Sequence, residues 1–253
     1  MSEDREGTYV YGVVPAGVKL EGLDRKGEGM PEVWLVEVGD LAAVVSDLPA
    51  DEETATRDHV LAHSHVLAAI AETTTVVPLR FGMIFPSDEA IRDDLLQARH
   101  DELTQLLERF DGRVQMTLKV AYEEEAVLRE ILKSNEEIAQ LREAVRGSAK
   151  EQSRDARIRL GEMVNAAIEE RRERDGAEIL EQLKSVSLAS LPQPAEKELM
   201  VLNVPLLVER KQLDAFEDAV DEVAKGKEEL MRFKLLGPMP AYHFTDVEEP
   251  AWA

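Results

Sequence analysis

Val114-Gln115-Met116-Thr117-Leu118-Lys119-Val120 alternates apolar and polar side chains without a break. Successive side chains of a strand point to opposite faces, so this stretch reads as a strand buried on one face. The segments C-terminal to it decide the fold. Residues 123–185 are charge-rich with helical spacing, and two candidate capping boxes, Ser134 with Glu137 and Ser148 with Glu151, divide them into three helices. The third is long, and Ile158, Met163, Val164, Ala167, Ile168, Ile179, Leu180 and Leu183 give it only a thin apolar stripe. A weak strand at 186–191 and the prolines Pro192 and Pro194 precede a strong strand at 200–208. Leu213, Phe216, Val220 and Val223 then recur at helical spacing, and Met231, Phe233 and Leu235 alternate with Arg232 and Lys234. Strand, helices, strand, strand, helix, strand is the split βαβ order of a ferredoxin-like domain, here with a helical insertion at about 123–185.

Reading backwards from Val114, residues 9–14 form a strand with neither face polar, which belongs in the middle of a sheet. Residues 33–38 and 41–47 are β-rich and flank Gly39-Asp40, so they are expected as antiparallel neighbours joined by a type II′ turn. The Gly- and charge-rich stretch 19–31 reads as a loop. Residues 54–72 are helical, with Val60, Leu67, Ile70 and Ala71 on one side. Pro78 demotes the apolar run 75–85 to an edge, bulged strand, or one broken near Gly82. Ser87 is a plausible N-cap for a helix that turns Ile91, Leu95, Leu96, Leu103, Leu106, Leu107 and Phe110 inward, and Gly112 suits its end. The expected fold class is α+β, with two modified ferredoxin-like domains, 1–112 and 113–253, the second carrying the helical insertion and a C-terminal tail.

Composition excludes several functions. Acidic residues number 52 against 30 basic ones, a formal net charge of −22, which repels nucleic acid and anionic membrane surfaces. Aromatics at 5% offer few platforms for stacked bases. With no cysteine there is no disulfide, thiolate zinc site, iron-sulfur cluster or cysteine nucleophile. The acidic start, residues 1–6, lacks a signal core, and no run reaches the ~18 apolar residues of a membrane span, so a cytoplasmic protein is expected.

Catalytic motifs are missing where they would be sought. His59 and His63 share a helix face, but Val60 stands where a zinc-protease motif needs glutamate, and His65 points elsewhere. Ser64 with Asp58 and these histidines cannot converge from one helix into a triad. Neither a phosphate loop nor a dinucleotide fingerprint is present. Runs such as Glu123-Glu124-Glu125 read as solvated helix faces. No cofactor and no metal are expected. Arg80 stands out as a cation among apolar strand residues, which must reach water or pair with a carboxylate. In the tail, Pro238 and Pro240 favour an extended backbone that sends Tyr242 and Phe244 to the same side, to pack on their own domain or on a partner.

Four segments in order carry a resemblance: Tyr9-Val10-Tyr11-Gly12-Val13-Val14, Thr75-Val76-Val77-Pro78-Leu79-Arg80-Phe81-Gly82, residues 203–208, and Gly237-Pro238-Met239-Pro240-Ala241-Tyr242-His243-Phe244. Together they resemble the GvpF/GvpL family of gas vesicle proteins over nearly the whole chain, with Met239 where that family often has Trp and Ala241 where it has a further Pro. The resemblance implies an accessory protein of gas vesicle assembly, cytoplasmic or vesicle-associated. It implies contact with the small hydrophobic shell protein and with other accessory proteins, and no enzymatic activity. Within the matching motifs Arg80, Phe81, Tyr242 and Phe244 are the expected partner contacts. A competing expectation is a small-ligand sensor, since ferredoxin-like domains host many binding functions.

Overall fold

The computed structural model describes residues 7–20, 32–47, 56–147 and 154–246. Two compact units divide them: one comprises residues 7–115, 209–211 and 237–246, the other 116–208 and 212–236. The first unit therefore takes in the tail, which the sequence reading placed with the second half.

The first unit is built on β1 (Thr8–Pro15), which is buried from Thr8 to Val14 and lies inside its sheet as expected. β2 (Val33–Val38) and β3 (Leu41–Asp47) form an antiparallel hairpin, and β3 pairs with β1. Gly39 has a φ of +60° and no described non-glycine residue has positive φ, which fits Gly at the first position of a type II′ turn. On the other side of β1 lie β4 (Val77–Pro78) and β5 (Ile84–Phe85), both antiparallel to it, with Gly82 at φ +88° between them. The run 75–85 is thus an edge strand broken at Gly82. The Leu79 amide donates inward to the Tyr11 carbonyl at 2.9 Å, so the adjacent Pro78 takes an outward position, where its missing N–H leaves no gap in the ladder.

A register shift between Val10 and Gly12 interrupts the alternation of β1. Tyr9, Tyr11 and Val14 all join one apolar cluster with α1 (Arg57–Thr73). Gly12 is required where β4 comes close, because a Cβ there would lie 2.7 Å from the Val77 carbonyl oxygen. α1 buries His63, Val66, Leu67 and Ile70, while Val60 is turned outward, contrary to the expected face. Its cap is Thr56, whose side chain accepts from the His59 amide.

Ser87 caps the next helix as expected, accepting from the Ala90 amide. That helix is not continuous. α2 (Asp88–Ala90) opens into a wide-turned π-helical stretch, Ile91–Gln97, and α3 (His100–Phe110) comes after it. All seven expected inward residues are nonetheless buried.

β6 (Arg113–Tyr122) begins the second sheet, which runs in the order β7-β8-β6-β9 with β7 (Ala189–Ser190), β8 (Met200–Glu209) and β9 (Met231–Met239). Counted within this half, the order is second, third, first, fourth, the arrangement of a split βαβ domain. Both sheets are antiparallel. Three helices fill the first crossover, α4 (Glu124–Ser134), α5 (Glu136–Arg146) and the 30-residue α6 (Arg154–Leu183), and α7 (Leu213–Ala224) fills the second. Met116, Leu118 and Val120 of β6 share a core with Val204 and Leu206 of β8 and Phe216 of α7.

Two local expectations change. The α5 cap is Asn135, accepting from the Ile138 amide at 3.1 Å, because the Ser134 hydroxyl instead donates back to the Ile131 carbonyl. The box proposed at Ser148 and Glu151 lies outside the described residues. Two of the three polar positions of β6 are not in water: Gln115 is 0% exposed and Thr117 6%, while Lys119 reaches Glu196 at 3.5 Å. Gln115 is occupied within the first unit, its Oε1 accepting from the His243 amide at 3.0 Å.

Candidate functional site

All four partner-contact candidates fall in the first unit, but in different environments. Arg80 is exposed and pairs with Asp246. Its cation therefore reaches water and a carboxylate together, a pair that adds little stability at such exposure. Phe81 is half-buried at the turn between β4 and β5. Tyr242 is also half-buried, packed against the cluster beneath α1. Phe244 is 0% exposed and cannot touch a partner in the folded chain. Its short 3₁₀ turn, Tyr242–Phe244, packs the tail onto the first unit and not onto the second-half domain to which the sequence reading assigned it.

The turn carrying Arg80 and Phe81 is held by a buried polar relay. Leu79 offers only a carbonyl, so the His63 Nε2, 3.2 Å away, carries the ring proton and donates to it. Nδ1 is then the acceptor, and the Tyr9 hydroxyl 2.9 Å away donates to it. The same hydroxyl accepts from the Gly82 amide at 3.1 Å. One helix, one central strand and one turn are thus joined through a neutral imidazole. Burial holds the His63 pKa below its ordinary value, and the bond to Leu79 acts in the opposite sense. Aromatic edges complete the setting: Phe81 meets the His63 ring at 5.7 Å and Tyr9 at 6.1 Å, and Tyr11 stacks on His63 at 5.4 Å.

Tyr242 is chemically quiet. Its hydroxyl is buried without a well-formed hydrogen bond, Ser64 beside it being engaged with the Val60 carbonyl at 2.9 Å. Burial pushes its pKa up to about 12, with Ser64 pulling weakly the other way.

The histidines do not converge. His63 is buried in the relay, and the His59 Nδ1 lies 3.5 Å from the Thr56 amide as the second half of a capping box. Among the described residues no group of three His, Cys, Asp or Glu side chains could hold a metal ion. No described helix is long and apolar enough to cross a membrane. What the geometry offers is a clamped turn, presenting a cation and an aromatic ring, with Ile84 beyond it at 47% exposure.

Sequence reasoning found Arg80 and Phe81 but missed the relay that positions them. Its members are separated by 54 residues between Tyr9 and His63, and no local pattern links them. The buried strand that the run from Tyr9 to Val14 predicts was the one available signal, since a buried tyrosine hydroxyl needs a partner.

Comparison with known proteins bears on the whole architecture. The family model described as "Gas vesicle synthesis protein GvpL/GvpF" matches residues 7–246. Gas vesicle protein F of Streptomyces sp. (strain CB03234) is 34% identical over 244 residues, covering 94% of this chain and 99% of that protein. Gas vesicle protein L of the same strain is 31% identical over 279 residues, covering 98% and 96%. The crystal structure of GvpF from Anabaena sp. PCC7120 superposes with a TM-score of 0.80 at 22% identity, covering 96% of this chain and 100% of that one, which establishes the shared fold. The chain belongs to the GvpL/GvpF family of gas vesicle synthesis proteins.

Proposed function

We propose that this protein acts in gas vesicle assembly by binding the hydrophobic shell protein during nucleation or growth of the vesicle. The observation that carries the reading is family membership across residues 7–246. A physical argument supports it: an acidic chain with a net charge of −22 keeps an aggregation-prone apolar subunit in solution while the two are bound. The contact proposed is the turn at residues 80–84, where Phe81 and Ile84 supply apolar area and Arg80 a steering charge. Tyr242 packs on the cluster beneath α1 on which Phe81 also packs, and Phe244 anchors the tail.

Copurification of the shell protein with the full chain tests this. Wild type should retain it, and Ile84→Asp combined with Phe81→Ala should weaken retention at least about tenfold, roughly 1.4 kcal/mol. A wild-type chain that fails to retain the shell protein, in a setting where deleting the gene leaves vesicles normal, overturns the proposal.

A further inference from the structure

A cleft of about 380 Å³ lies wholly within the first unit, where α1 and α3 end. Its size is that of a small-molecule site. Buried Val76, Phe110 and Val114 give it an apolar lining, and two arginines, Arg113 and Arg210, stand in its wall. The Arg210 amide bonds to the Gly112 carbonyl at 2.8 Å, which seats these arginines side by side on neighbouring strand ends.

Each guanidinium is aimed by a helix C-terminus. Arg210 Nη2 donates to the Ala71 carbonyl of α1 at 2.6 Å, and Arg113 Nη1 to the Arg109 carbonyl of α3 at 2.8 Å. These bonds engage one N–H of the five on each fork. Neither arginine makes an ion pair among the described residues, although the chain carries 52 acidic residues against 30 basic ones. Nearby Glu209 is instead paired with Lys211 at 2.7 Å. Two arginines on one cleft wall, neither ion-paired among the described residues, beside the apolar side chains of that cleft, are an arrangement suited to an anionic ligand.

We propose that this cleft binds a small ligand through a carboxylate held by Arg113 and Arg210, with the ligand's apolar part against Val76, Phe110 and Val114. Glu72 and Asp111 also line the cleft, Asp111 accepting from the Thr75 hydroxyl at 3.1 Å. A second negative charge on the ligand would face them, so a single carboxylate fits better than a phosphate dianion. The carboxylate can belong to a free organic acid or to the C-terminus of a polypeptide. This inference stands independently of shell-protein binding.

The test is an amide NMR titration of the full chain with four probes: sodium acetate, trialanine, trialanine amide and inorganic phosphate. Acetate and trialanine should shift the Thr74, Thr75 and Gly112 resonances saturably, and the amide should leave them in place. Trialanine binding at least tenfold tighter than acetate supports the proposal with a polypeptide C-terminus as source, and comparable affinities support it with a free acid. Arg113→Gln and Arg210→Gln should each weaken binding at least tenfold, with Arg→Lys versions used if a glutamine variant does not fold. Absence of saturation with both carboxylates, phosphate binding tighter than acetate, or affinities indifferent to the arginine substitutions would overturn the proposal and leave the two arginines as helix caps alone.

Discussion

His63 shows how one buried side chain ties a surface turn to acidity. Its folded pKa lies below the ordinary 6.5, so below that pH the unfolded chain binds more protons than the folded one. The relay's contribution is therefore complete above about pH 6.5 and is lost as pH falls towards the depressed folded value. His100 opposes this: held by Asp40 and Asp101, its pKa is raised, and its contribution is present in acid and lost as pH rises through its folded value. Replacing His63→Leu should flatten the rise in melting temperature between about pH 5 and 7.5, leaving the opposite His100 slope, and thermal melts across that range check it. Phe244 belongs to the same scale. Truncating this fully buried ring in Phe244→Ala should cost about 3–5 kcal/mol in urea unfolding, while the fraction still folded binds partners unchanged.

At the scale of elements, local chemistry was legible wherever the deciding residues were neighbours. Gly39-Asp40 named its hairpin, Ser87 its helix start, and Pro78 with Gly82 the interrupted edge. The α5 start was misplaced by one residue because Ser134 and Asn135 are both good caps, and only the bond from Ser134 to the Ile131 carbonyl separates them. Asn135→Ala should accordingly cost about 1 kcal/mol, read by chemical denaturation, whereas Ser134→Ala should cost less. The π-helical stretch was invisible to periodicity, since the seven apolar positions from Ile91 to Phe110 are spaced acceptably for one regular helix. Long-range pairings, such as Tyr9 with His63 and Arg113 near Arg210, depend on tertiary contacts that no window of sequence contains.

For the molecule as a whole, charge is the dominant global property. With a formal −22, like-charge repulsion weakens the compact state most at low ionic strength. Raising salt from about 0.01 to 0.15 M shortens the screening length from ~30 to ~8 Å and should raise the melting temperature, which scanning calorimetry in matched buffers measures. The two-part α+β architecture could be read from the order of periodic segments, because each half repeats a compact strand and helix pattern. The tail's allegiance could not, since Phe244 finds its place only after the chain has passed through both units.

Pro78 gives the sheet margin a property beyond its own strand. By withholding one amide hydrogen on the side that faces away from β1, it leaves an incoming extended chain with no donor at that rung. That border of the sheet is thereby a poorer template for the addition of a further strand.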